Sequence, residues 1–294
     1  MIYTSPIDFH QTHISSFLSD SPKYNLIVLH GMSEHRHRYE PFAETASNQH
    51  INVFTIDLRG HGESPTEKTY GYMNGYMNQV HDLYHIIQLI RKDHPHRTYL
   101  MGHSMGSLFV RSYLKHYLKE NVNGVIIMGS PYIPEGLNLL RMAIKPLAKL
   151  FPKKKSKLIS NIMNKTFNKD IENPKTPVDW LSYNEDNVQN YINDPLCNFP
   201  LTYSGYADLF DLIHDVYQDD WEKIDVLTPV LFVIGSFDPC PDFKRGGFDK
   251  AIKKLKQDGY NSVQSIIYHQ SRHELLFDLD SEYVTQDIID FIIN

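Results

Sequence analysis

The chain has little cysteine. Cys197 and Cys240 are the only two in 294 residues and form no pattern, so a reducing compartment is the simplest setting. No apolar run reaches the length of a membrane span. The opening stretch MIYTSPIDFHQTHISSF lacks both the basic and the apolar region of a secretory leader, so a cytoplasmic location is expected. No repeat of 20–50 residues is visible. Excess positive charge is missing too: the net charge is −6, which argues against general nucleic-acid binding. What remains is 41% hydrophobic and 22% charged residues, the make-up of a globular protein. The length suits one large domain, or a domain carrying an insertion.

Charge is unevenly spread. Residues 141–169 hold Arg141 and eight lysines, at 145, 149, 153, 154, 155, 157, 165 and 169, and no acidic residue. Leu137, Leu140, Ile144, Leu147 and Phe151 fall near one helical face there, and Pro146 is expected to bend or divide that helix. Two readings fit. The apolar face packs over a site while the lysines stay solvated, or the segment makes peripheral contact with an anionic membrane surface.

Elsewhere, short apolar runs alternate with helical periodicity. Strands are expected at 25–29, 51–56, 98–101, 122–128, 230–234 and 262–268. Helices are expected at 40–49, 76–92, from the 102–106 turn to about 119, 206–217, near 242–258 and 281–293. A weak pattern in residues 1–20 suggests a hairpin. This alternation predicts an α/β fold, with a mostly parallel central sheet covered by helices on both faces. It breaks between 132 and 205, where helical segments occur without a clear strand. Residues 1–131 and 206–294 are therefore expected to form the core, and 132–205 an inserted helical cap.

The segment RTYLMGHSMGSLF (97–109) sets a strand, then Gly102-His103-Ser104-Met105-Gly106, then a helix. G-x-S-x-G in that context is a nucleophile elbow. The turn thrusts Ser104 out at a strand end, and side chains at Gly102 or Gly106 would collide across it. A serine hydroxyl needs a base, and the base needs an orienting acid. Asp238 ends one later strand and His273 follows the next, giving the order Ser-Asp-His expected after such an elbow. Oxyanion donors are expected at the backbone N–H of Met105 and of Met32, with Gly31 allowing close approach. Asp242 and Glu135 are rivals for the acid. His103 is expected to pack. His81 and His85 have zinc-like spacing but lack a third ligand, so no metal is assigned there. Glu34, Asp57 and Arg59 are expected to tie the two loops after the first strands together by charge pairing.

The segments HGMSEHRHRY (30–39), DLRGHGES (57–64), GHSMG (102–106), GSFDP (235–239) and RHE (272–274) resemble the α/β-hydrolase superfamily, and within it the monoacylglycerol lipase and lysophospholipase group. The resemblance implies a Ser104–Asp238–His273 triad, oxyanion donors at Met32 and Met105, a lid after the strand ending near 129, and neither cofactor nor metal. It implies hydrolysis of a single-chain lipid ester through an acyl-enzyme. The scaffold also suits a general carboxylesterase, or a proline-type aminopeptidase in which Glu185, Asp186 and Asp194 would hold the substrate amine. A non-catalytic ligand receptor of the same fold is the remaining alternative. The sequence leaves the oligomeric state open.

Overall fold

The apolar runs form the strands of one sheet. A computed structural model of the chain describes residues 1–63, 70–117, 122–222, 226–242 and 245–294. Its strands are β1 (Ile2–Thr4), β2 (Gln11–Phe17), β3 (Tyr24–Leu29), β4 (Ile51–Ile56), β5 (Arg97–His103), β6 (Gly124–Met128), β7 (Val230–Gly235) and β8 (Val263–Tyr268). Its helices are α1 (Glu40–Ser47), α2 (Tyr76–Asp93), α3 (Met105–His116), α4 (Leu137–Leu150), α5 (Lys157–Phe167), α6 (Glu185–Asn193), α7 (Tyr203–Tyr217), α8 (Gly247–Gln257) and α9 (Ser281–Ile293). The strand order is β1-β2-β4-β3-β5-β6-β7-β8. The hairpin β1–β2 is antiparallel and joins β4 antiparallel, while every later pairing is parallel.

Continuous apolar strands arise because both sheet faces are covered. Ile27, Leu29, Phe54, Ile56, Leu100, Val125, Ile127, Phe232 and Ile234 face one core with α2, α3 and α7. Their neighbours Leu26, Val28, Val53, Met101, Ile126, Leu231 and Val233 face the other, with α1 and α9. Each such fully buried side chain contributes about 1.5–3 kcal/mol over exposure.

The register aligns the strand ends. Leu29 lies beside both Ile56 and Gly102, His103 beside Met128, and Gly235 beside Tyr268. The loops holding Met32, Asp57, Ser104, Gly129, Asp238 and His273 therefore leave the sheet at one edge, where open parallel sheets bind ligands.

Among the described residues, 132–202 hold α4, α5, α6 and two 3₁₀ turns, Asn168–Asp170 and Asp179–Leu181. Val178, Trp180, Leu181, Val188, Tyr191 and Cys197 form a small core of their own, which also takes in Cys240. Several boundaries and one helix differ from expectation: α1 ends at Ser47 rather than 49, and β5 spans Arg97–His103 rather than 98–101. Strand β6 starts at Gly124 rather than 122, and α7 starts at Tyr203, where Thr202 Oγ1 accepts the Gly205 N–H at 3.0 Å. The helix expected near 242–258 starts at Gly247, with 243–244 outside the described residues. Ser64 and the expected end of the elbow helix near 119 also lie outside them. Helix α4 runs through Pro146 undivided. Its apolar residues do not share one buried face: Leu137 and Ile144, seven apart, are buried, while Leu140 and Leu147, and Phe151 just past its end, are exposed.

Candidate active site

Ser104 sits between β5 and α3 with φ 52° and ψ −118°. Such a conformation costs on the order of 1–3 kcal/mol. Its surroundings enforce it. The Ser104 N–H donates to the Met128 carbonyl at 2.9 Å, and its carbonyl accepts the N–H and hydroxyl of Ser107 at 3.0 and 2.5 Å. The flanking glycines are steric necessities: a Cβ on Gly102 would stand 2.4 Å from the Gly106 carbonyl oxygen, and one on Gly106 2.3 Å from that of Leu29.

His273 and Asp238 meet. His273 Nδ1 lies 2.9 Å from Asp238 Oδ2, with both side chains buried. The Cys240 N–H donates to Asp238 Oδ1 at 2.9 Å. Burial works against a charged imidazole, but the Asp238 carboxylate outweighs it, with help from Glu274 and Glu34, so His273 titrates above the ordinary histidine value. The rivals lie elsewhere. Asp242 and Glu135 both lie beside Arg245, at 3.8 and 3.4 Å, on the surface.

Among the described residues, Ser104 Oγ forms no hydrogen bond with His273. Two contacts nonetheless bring the imidazole to the elbow. Its ring centroid is 4.7 Å from that of His103. A Cβ on Gly129, the residue after the Met128 carbonyl that holds Ser104, would stand 3.2 Å from His273 Cε1. Nucleophile–base contacts commonly tighten only when substrate binds.

The Gly31–Met32 loop is set by two histidines and a glutamate. The Leu58 N–H donates to His30 Nε2 at 3.0 Å, so His30 carries its proton on Nδ1 and donates it to the Gly31 carbonyl at 2.7 Å. In a trans peptide the next N–H points the opposite way. Met32 N–H is thus turned away from His30, and it donates to nothing among the described residues. Met105 N–H, at the first position of α3, has no intrahelical acceptor. A Cβ on Gly31 would stand 3.2 Å from Ser104 Cβ, so the loop passes directly over the elbow.

Glu34 anchors that loop. It accepts the Gly31 N–H at 2.5 Å, the Tyr39 hydroxyl at 3.1 Å and an Arg38 N–H at 2.7 Å, and it lies 3.0 Å from His103 Nδ1. Burial opposes its charge, but Arg38 and His103 hold its carboxyl well below the usual carboxylate range. The expected pairing between loops holds in part. Asp57 binds the Arg36 guanidinium and accepts the Arg36 N–H at 2.9 Å, whereas Arg59 turns away to Asp8 and Asp82.

Three contributions had little or no signal in the sequence. His103 does more than pack: its Nε2 donates to the His273 carbonyl at 3.1 Å. Arg38 also grips Glu274, and the Glu274 N–H donates to the Leu181 carbonyl at 2.8 Å. Trp180 lies on His273, with ring centroids 4.9 Å apart. Only the i, i+4 spacing of Glu34 and Arg38 is readable beforehand. His81 meets the Tyr117 hydroxyl, and the His85 ring packs on Tyr84.

The model of one protein family, Hydrolase_4, described as serine aminopeptidase, S33, matches residues 20–280. The chain belongs to this family. It is 27% identical over 263 residues to the monoglyceride lipase of Rattus norvegicus, covering 87% of this chain and 78% of the relative. It superposes on a thermostable carboxyl esterase from Bacillus coagulans, solved with glycerol, at a TM-score of 0.89 and 25% identity, covering 99% and 96% of the two chains. A soluble variant of the Saccharomyces cerevisiae monoglyceride lipase, in complex with a substrate analog, gives a TM-score of 0.78 over 100% and 94% of the chains. At 17% identity that likeness speaks to fold alone. The fold is that of the α/β hydrolases, and the chain is a hydrolase similar to monoglyceride lipases.

Proposed function

We propose that the chain is a serine ester hydrolase that cleaves the acyl ester of a single-chain lipid, a monoacylglycerol or a lysophospholipid. The observation that carries this reading is the buried His273–Asp238 pair beside the strained Ser104 elbow. In it, Ser104 Oγ attacks the ester carbonyl while His273 Nε2 takes the hydroxyl proton. The carbonyl oxygen becomes an oxyanion received by the N–H groups of Met32 and Met105. Collapse breaks the ester C–O bond, and His273 gives the proton to the leaving alcohol. Water, deprotonated by His273, then attacks the acyl-enzyme and releases the fatty acid and free Ser104. Asp238 holds the imidazole and stabilises its charged form. Two oriented donors at an oxyanion are each worth about 2.7–4 kcal/mol of barrier.

Residues 132–205 act as a cap over the acyl chain in this reading. Leu139, Met142, Leu150 and Leu158 stand exposed on α4 and α5, beside the run of cations from Arg141 to Lys169. That pairing of apolar and basic surface supports peripheral contact with an anionic membrane. No helix among the described residues is long and apolar enough to cross one. Co-sedimentation with anionic vesicles that falls with salt tests this contact.

The family description favours a second reading, an aminopeptidase. The acidic residues proposed to hold an amine do not gather: Asp194 is bound to His35, and Glu185 lies on the surface beside Lys175. The deciding experiment measures fatty-acid release from 1-monoacylglycerol and lysophosphatidylcholine in parallel, with Ser104→Ala as blank. Ser104-dependent release from either supports the lipid reading. Release from neither, with rapid cleavage of a short nitrophenyl ester or an aminoacyl anilide, replaces it.

A further inference from the structure

Among the described residues, and away from the Ser104 site's own groups, one cluster brings together a buried imidazole, a buried thiol and a half-buried carboxylate. We propose that His35, Asp194 and Cys197 form a three-ligand binding site for a zinc-type divalent cation, with the fourth coordination position left to solvent. One donor atom from each lies within 4.8 Å of the other two. His35 Nε2 and Asp194 Oδ2 are already 2.9 Å apart. In a tetrahedral zinc site, with bonds near 2.0–2.3 Å, ligand atoms stand roughly 3.3–3.8 Å from one another. Small side-chain movements therefore suffice to bring the three atoms to those separations.

The donors come from two segments. His35 belongs to the loop that carries Met32 and Glu34. Asp194 and Cys197 belong to one turn after α6, closed by the Cys197 N–H donating to the Asp194 carbonyl at 3.1 Å. The Leu196 N–H holds Asp194 Oδ1 at 2.7 Å, leaving Oδ2 directed at His35. Such outer hydrogen bonds orient a ligating carboxylate.

One observation points to a ligand. Cys197 is only 5% exposed, and its thiol makes no hydrogen bond among the described residues, though it faces two polar partners. Asp194 is the most exposed of the three, so a cation would enter from its side. The donor set selects among cations. Imidazole and thiolate suit zinc and its neighbours, whereas calcium and magnesium want oxygen ligands alone.

Burial raises the Cys197 thiol above its ordinary value, so the metal-free site is protonated and held by the His35–Asp194 hydrogen bond. Metal binding expels the thiol proton, and the His35 proton moves from Nε2 to Nδ1 so that Nε2 can take the cation. Arg38 lies near enough to oppose a cation, but its charge is taken up by Glu34 and Glu274. The bound ion would fasten the 194–197 turn to the 33–35 loop, where the Asn198 N–H already donates to the Ser33 carbonyl at 3.0 Å.

A second set of donors, Asp238, Cys240 and His273, is the competing location. The test therefore uses the reduced, chelator-treated full chain and four proteins: wild type, Cys197→Ser, Asp194→Asn and Cys240→Ser. Each is titrated with Co²⁺ while thiolate-to-metal charge-transfer absorption is followed, and Zn²⁺ is then added to displace it. The expected result is one equivalent bound with a thiolate band, a higher Tm with Zn²⁺, and at least tenfold weaker binding in Cys197→Ser and Asp194→Asn. Cys240→Ser should bind as wild type does. Metal-free Tm values show whether each variant is folded. No thiolate band at one equivalent, undiminished binding by folded Cys197→Ser, or loss confined to Cys240→Ser overturns the proposal.

Discussion

The guanidinium of Arg38 holds both carboxylate oxygens of Glu274, at 2.6 and 2.8 Å. Glu274 is the residue after His273, and the same guanidinium binds Glu34, whose other oxygen fixes the Gly31 N–H. One buried cation thus links the histidine loop to the loop that presents Met32. Removing it leaves two carboxylates buried without a counter-charge, at a cost of about 3–5 kcal/mol. Arg38→Ala should lower denaturant stability by about that amount. Arg38→Lys should restore only part of it, because an ammonium cannot reproduce a planar fork. Equal stability of Arg38→Ala and wild type in urea titration would refute the linkage.

Trp180 reaches the same histidine from the segment between β6 and α7. It is buried, and its indole N–H donates to Asn164 Oδ1 at 3.3 Å. Trp180→Ala should cost about 3–5 kcal/mol of stability. It should also cut kcat/KM by about tenfold or more through displacement of His273. Trp180→Phe keeps a ring against the imidazole and should recover most of the activity. Steady-state kinetics on the ester substrate checks both.

Much of this arrangement is legible in the sequence, for a physical reason. Strands such as 25–29 and 230–234 are apolar throughout because both faces are buried, so the pattern declares itself over a few residues. The elbow declares itself because backbone crowding admits only glycine at 102 and 106. Contacts such as Trp180 on His273 do not. They join residues 93 apart, and a tryptophan in a polar stretch carries no local mark of its partner. The undivided α4 was illegible for a related reason. A helix lying on α7 can keep its course through Pro146 with its neighbours packed, which local propensity does not convey. Arg59 departs from the expected pairing because its partners Asp8 and Asp82 lie in the weakly patterned N-terminal loop and on α2, which nothing local to Arg59 marks.

The pH profile should carry the mark of His273. The base must be neutral, and its pKa is raised, so kcat/KM should fall as pH drops through a value above the ordinary histidine 6.5. Asp238→Asn should move that limb to lower pH and reduce kcat on the order of 10⁴-fold. The stability linkage has its own sign. Protonated His273 favours the fold, so this contribution is complete below the unfolded pKa and is lost as pH rises through the folded one. A kinetic limb at or below 6.5 would contradict the raised pKa of His273.

Asp208 offers a test of the scaffold. Burial, with Asp211 nearby, raises its pKa from 3.8 to about 6, although it accepts the Gly75 N–H at 3.1 Å. A raised carboxyl is a liability once ionised: stability falls as pH rises between the unfolded and folded values. Asp208→Asn keeps an acceptor for Gly75 and removes the charge. It should stabilise the protein at pH 7 by at most about 3 kcal/mol, and the gain should vanish below about pH 4. Tm measured across this range checks it.

The central claim is that Ser104 is the nucleophile. Treating the folded protein with a fluorophosphonate and mapping the adduct by mass spectrometry tests it most directly. The account predicts one adduct per chain, on Ser104, formed far more slowly in His273→Ala. Failure of the folded protein to react, or an adduct on another residue with ester hydrolysis intact in Ser104→Ala, would contradict it.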